Sequence, residues 1–238
     1  MRKSIDLPVC YLLALAAFMM AFGNSVHADT IAYEVPAGVV GNQIDSSAIS
    51  FGMDFSVISD ITVDQIGVFD SSQDGLIAPI SAAIYDRVTD TLVSPVVNFA
   101  AGSGVTSGTL VDGSRFLPIT PITLHAGFQG AIVTEGYGNG TTAETDGNSF
   151  GAATGTPTFP WTVNDGGGLI AFVGSGRFSG SGVGIQYPNN IDSGPANRYA
   201  AGTFAFSAVP EPSTLVLAVL AFGLVMLLEQ FRQRVAFE

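Results

Sequence analysis

The chain has 238 residues, 47% hydrophobic and only 12% charged, with 29 glycines, one cysteine and a formal net charge of -12. That length holds about one domain with terminal segments, and one cysteine excludes a disulfide scaffold. The acidic balance argues against nucleic acid or an anionic lipid surface as partner.

The amino end, MRKSIDLPVCYLLALAAFMMAFGNSVHA, opens with Arg2 and Lys3, continues in an apolar run centred on Tyr11 to Phe22, and closes on Val26-His27-Ala28. Basic start, apolar centre and small-x-small end are the three parts of a secretory signal peptide, so residues 1–28 are predicted to leave by signal peptidase between Ala28 and Asp29. With them go Cys10 and His27, leaving His125 as the one imidazole. A cysteine nucleophile and a Cys/His zinc site are thereby excluded from the mature chain.

Residues 29–208 read as a single exported domain. From Asp29 to Val209 there are sixteen acidic residues, four arginines (Arg87, Arg115, Arg177, Arg198) and no lysine. In ISFGMDFSV, Ile49, Phe51, Met53, Phe55 and Val57 alternate with small or polar residues, the pattern of a strand buried on one face. ITVDQIGVF starts the same way and then changes phase from Val63 to Ile66, which predicts a bulge near Asp64-Gln65. Ile80, Ala82 and Ile84 alternate again. Further strands are predicted at Leu92–Phe99, Phe116–Leu124, Gly130–Glu135, Leu169–Val173, Val183–Tyr187 and Ala200–Ser207, each bounded by turn-forming residues. No long amphipathic helix intervenes, so the expected fold is all-β: one antiparallel β-sandwich, jelly-roll-like, flanked by the signal helix and a C-terminal transmembrane helix. The stretches DFSVISDITVDQIGVFD, DGLIAPISAAIYDRVTDTLV and FLPITPITLHAGFQGAIV, within Phe51 to Val133, also resemble exported galactose-binding-like or jelly-roll modules.

Candidate sites are sparse. Asp70 and Asp74 in FDSSQDG offer carboxylates to calcium, but Asp-Gly is a common turn pair and the spacing is not that of an EF-hand loop, so the turn is the preferred reading. Residues 136–168 form a Gly, Thr, Asn and Asp-rich stretch, the expected place for a binding loop. Trp161 with Phe159 would stack there on a sugar ring; the alternative is that the one tryptophan fills the core. His125 has no Gly-x-Ser-x-Gly elbow to accompany it and reads as a surface histidine. GSGRFSGSG, residues 174–182, lacks the Gly-Lys-Ser/Thr ending of a phosphate loop and reads as a loop or hairpin connection. Asn139-Gly140-Thr141 has the form of a glycosylation sequon. No cofactor is expected, calcium being the one candidate.

The carboxyl end, residues 209–238, is the most specific. Fourteen uncharged, almost wholly apolar residues run from Leu215 to Leu228, which as a helix at roughly 1.5 Å per residue reach about 21 Å against a bilayer core of roughly 30 Å. Pro210-Glu211-Pro212 precede them, and Arg232 and Arg234 follow; the positive-inside rule then places the tail in the cytoplasm and the body outside. Val209-Pro210-Glu211-Pro212-Ser213-Thr214, the short helix at 213–231 and the terminal arginines together resemble a PEP-CTERM sorting signal. The resemblance implies processing by an exosortase, a membrane cysteine transpeptidase-like enzyme of Gram-negative bacteria that make exopolysaccharide. Glu229 and Glu238 dilute the basic end, where family members often carry a denser arginine cluster. Two prolines also oppose helix there, leaving an extended strip that an enzyme can bind.

The expected product is a non-enzymatic protein of the cell envelope or extracellular matrix, structural or carbohydrate-associating, held in the membrane by its C-terminal helix before processing. Exopolysaccharide is its expected partner. The alternatives are a secreted polysaccharide hydrolase, which needs two carboxylates at roughly 5 to 9.5 Å in one cleft, and a permanently anchored single-pass surface protein.

Overall fold

The computed structural model describes residues 29–41, 49–101, 107–138, 162–179, 184–194 and 196–210, with isolated helical positions at 223, 225 and 232. The strands are β1 (Thr30–Ile31), β2 (Tyr33–Glu34), β3 (Ser50–Val57), β4 (Ile61–Phe69), β5 (Ile80–Asp86), β6 (Thr91–Leu92) and β7 (Val97–Phe99). They continue as β8 (Thr109–Val111), β9 (Ser114–Leu124), β10 (Gln129–Glu135), β11 (Thr162–Val163), β12 (Ile170–Phe178), β13 (Asn190–Ile191) and β14 (Gly202–Ala208). Among the described residues every strand pairing is antiparallel.

Two curled sheets result. The smaller runs β1, β14, β4, β9, β8; the larger runs β13, β12, β3, β10, β5, β6, with β7 also on β5, and β2 pairs with β11 apart from both. The alternation in β3 decides which face is inside: Phe51, Met53, Phe55 and Val57 are at most 2% exposed. They meet the smaller sheet directly, Phe55 and Phe204 lying with ring centroids 4.8 Å apart. Burying each such side chain contributes about 1.5–3 kcal/mol. Tyr137 closes one margin of this core, its hydroxyl 2.7 Å from the Phe69 carbonyl and 2.9 Å from that of Ala201.

The expected bulge is present. On β14, Ala205 faces Gln65 and Phe206 faces Val63, so Asp64 is the extra residue, and the slip turns Ile66 and Val68 back into the core. Opposite β9 the same point absorbs an irregularity between Pro118 and Ile122.

Three expectations need correction. Leu92–Phe99 is two short strands, because Pro95 has no N–H for a ladder and Ser94 turns its own N–H to the Ile84 carbonyl at 3.3 Å. Residues 184–187 form no strand; Ile185 and Tyr187 instead pack on the outer face of the larger sheet, and Val183 lies outside the described residues. Gly174–Phe178, read as loop, belongs to β12. The signal segment 1–28, the stretch 42–48 and residues 139–161 also lie outside, as does 213–231 apart from Gly223 and Val225. Among the described residues no helix is long and apolar enough to cross a membrane.

Candidate functional site

The even positions of β3 face outward, and the strand register gathers chemistry around Asp54. One cross-sheet row reads Tyr85, Ala131, Asp54, Val173; the next reads Ala83, Val133, Gly52, Arg177; on the other side stand Gln129, Ser56 and Ala171. Between Val173 and Arg177, β12 has two residues more than β3, an excess absorbed by Gly174 and Gly176 at φ +71° and +152°. That bulge sets Arg177 opposite Gly52. A Cβ at position 52 would come within 2.9 Å of Pro188 Cγ, so the missing side chain is what lets the 184–188 segment lie down on the sheet.

Asp54 sits between two guanidinium groups. Arg177 Nε donates to both carboxylate oxygens at 2.8 Å, and Arg87 Nη1 donates to Oδ2 at 3.1 Å. Arg87 Nη2 reaches Ser56 Oγ at 3.3 Å and Gln129 Oε1 at 3.2 Å, while its Nε is buried without a partner. Arg177 lies over the Tyr187 ring at 5.3 Å, Tyr187 packs against Tyr85 at 6.1 Å, and the Tyr85 hydroxyl donates to the Ile185 carbonyl at 3.2 Å. Side-chain exposure is 9% for Asp54, 12% for Arg87 and 14% for Arg177, so the cluster is largely buried in the face with the arginines reaching its surface.

Burial dominates the local titration. It pushes the Tyr85 hydroxyl up, with Glu135 adding to the effect, and raises Tyr187 against the opposing pull of Arg177. Glu135, in register with Ser50 and Ser81, is also raised by burial, partly offset by the Gly184 N–H. Beneath the sheet, burial holds the Tyr33 hydroxyl well above its ordinary value, with the Asp54 charge as second cause. With its oxygens committed to two cations, Asp54 anchors arginines. The groups with capacity left are N–H donors, since the Tyr85 and Tyr187 rings are buried at 7% and 8% exposure.

The residues singled out from sequence fall elsewhere. Asp70 is fully buried: its Oδ2 accepts from Arg115 Nε at 2.5 Å, its Oδ1 from Gly75 N at 3.3 Å, and its own N–H goes to the Gly113 carbonyl at 3.0 Å. Asp74 is exposed at the end of the single turn Ser71–Gln73. The two therefore do not converge, and among the described residues no three His, Cys, Asp or Glu side chains group as metal ligands. His125 is exposed, its Nδ1 2.8 Å from Asp60 Oδ2. The Ala126 N–H, then His125, hold the Asp60 carboxyl below the usual range. Asp29 and Pro210 are exposed, as is Arg232 at a helical position. Ala28, Phe159, Trp161, Glu211, Pro212 and Arg234 lie outside the described residues, as does the sequon at Asn139.

Sequence reasoning missed Asp54, Arg87, Arg177, Tyr85 and Tyr187. One signal was available. The domain uses arginine and no lysine, the choice expected where planar pairing matters more than surface charge, and all four arginines pair with aspartates. No protein-family model and no curated protein sequence matches the chain.

Proposed function

We propose that this is an exported, non-enzymatic protein of the cell surface or extracellular matrix that associates with carbohydrate through the outer face of its larger sheet. The observation that carries the reading is the Asp54, Arg87, Arg177 cluster with Tyr85, Tyr187 and Gln129 beside it. Sugars are bound by planar polar groups that hydrogen-bond hydroxyl pairs, and this face supplies them, with the buried Tyr187 ring packed against the guanidinium of Arg177 and the buried Tyr85 ring beside it. Jelly-roll-like connectivity between the two sheets belongs to the same reading.

Delivery is the second half of the proposal: signal peptidase cuts before Asp29, the tail pauses in the membrane, and an exosortase acts at Pro210-Glu211-Pro212. The end of the domain supports this. Strand β14 stops at Ala208, the Val209 N–H donates to the Asp60 carbonyl at 3.0 Å, and Pro210 is exposed. The last strand thus ends just before the motif, whose first residue, Pro210, is exposed.

Two measurements test the proposal. Mass spectrometry of the protein from its native cells is expected to show a chain beginning at Asp29 and lacking the C-terminal helix; an intact terminus at Glu238 removes the sorting half. Sedimentation of the full chain with that organism's exopolysaccharide is expected to show binding that weakens in Tyr187→Ala; no binding by the wild type removes the carbohydrate half.

A further inference from the structure

We infer that this face, on the carbohydrate reading above, takes sugars bearing a carboxylate, and that Arg177 is the residue that grips it. The four arginines of the domain differ in what they have left to give. Arg115 and Arg198 are 6% and 7% exposed, and each is enclosed with its own carboxylate, Asp70 and Asp192. Arg87 and Arg177 share one carboxylate, so pairing at Asp54 leaves one positive charge over.

Their hydrogen bonds sharpen the point. Arg87 spends one Nη1 hydrogen on Asp54 and both Nη2 hydrogens on Ser56 and Gln129, and keeps a buried Nε without a partner and one further Nη1 hydrogen. Arg177 spends Nε alone; its Nη1 and Nη2 make no hydrogen bond to any described residue. The unspent capacity of the pair therefore consists of N–H donors. A carboxylate is a sugar substituent that offers only acceptors, and its two coplanar oxygens match the two terminal nitrogens of one planar guanidinium. Asp54 fixes the Nε end of that group and the Tyr187 ring backs it at 5.3 Å, so the fork is oriented before a ligand arrives.

The wider field limits the ligand. Asp90 as well as Asp54 acts on Tyr187 from nearby, and a chain of net charge -12 repels a dense polyanion at long range. The fit is to an isolated uronate within an otherwise neutral polysaccharide.

The test uses the full-length chain in detergent and three probes: a neutral oligosaccharide ending in one glucuronate, the methyl ester of that oligosaccharide, and polygalacturonate. Calorimetry is expected to show the acid binding at least about ten-fold more tightly than its ester, as loss of a bidentate charged contact requires. Polygalacturonate is expected to bind more weakly than the single uronate. Arg177→Gln should bring acid and ester to equal affinity, and Arg177→Lys, a point charge still able to face Asp54, should keep part of the preference. Equal binding of acid and ester by the wild type overturns the inference and leaves the carbohydrate reading standing; binding of neither overturns both. An acid preference that survives intact in Arg177→Gln removes Arg177 from the role. The comparison of acid with ester is made on the wild type, so a variant that fails to fold does not decide the matter.

Discussion

Asp70 and Asp54 are both buried carboxylates paired with arginine, yet removing a partner does different things at the two places. Asp70 is wholly enclosed and has Arg115 as its single charged partner among the described residues. Asp70→Asn leaves that guanidinium buried and uncompensated, so the unfolding free energy should fall by about 3 kcal/mol in denaturant titration. At Asp54 a second cation remains, and Arg177→Gln should cost only about 1 kcal/mol. Glu135 behaves in the opposite sense to a paired carboxylate. Burial raises its folded pKa above the unfolded value, so the folded state binds the proton more tightly and stability drops as pH rises through that window. Glu135→Gln should therefore raise the melting temperature at about pH 7 and leave it unchanged at about pH 3, where the glutamate is protonated in both states.

Strands were legible where alternation was unbroken. Strand β3 reads off its own residues because every odd position is large and apolar and every even one small or polar, and the phase change in β4 announced the bulge at Asp64. The two prolines of β9 did not mislead: β8 pairs only as far as Phe116, so at Pro118 and Pro121 the strand has one ladder neighbour and a missing N–H costs nothing on the open side. Strand β12 was cut short because its bulge is made of glycines, the same residues a loop would use. Ile185 and Tyr187 alternate like a strand but serve as a cover on one. The candidate site was hidden for a related reason: Arg177 and Asp54 stand 123 residues apart and meet only through strand register. One turn gives a sharp test of the backbone. Gly136, at φ +119°, leaves β10 so tightly that an added Cβ would lie 2.3 Å from the Pro79 carbonyl oxygen. Gly136→Ala should lower stability by about 2–4 kcal/mol in urea titration, since backbone must shift to relieve it.

At the scale of the molecule, acidity shapes behaviour in solution. Raised carboxyls at Glu135 and Asp64, both through burial first, gain stability from protonation as pH falls from neutral. Asp192 works the other way. Burial raises it, but hydrogen bonds from Tyr199 and the Gly194 N–H, with the Arg198 charge, prevail and hold it low, so its contribution is present at neutral pH and is lost only as pH drops through that depressed value. Calorimetric melting temperature should accordingly peak in mildly acid buffer and collapse below the ordinary aspartate range of about 3.9. A maximum at or above neutral pH would mean that the depressed carboxylates outweigh the buried ones throughout.

The smaller sheet places its last strand beside its first, with β14 inserted between β1 and β4. A chain made from its amino end cannot seal that sheet until residues 202–208 have emerged, because β4 then has only β9 beside it and Phe204 and Phe206 are missing from the interior. Completion of the fold is thus a checkpoint on completeness of the chain: a product stopped before Gly202 should remain open to protease, and only a fully delivered one resists it.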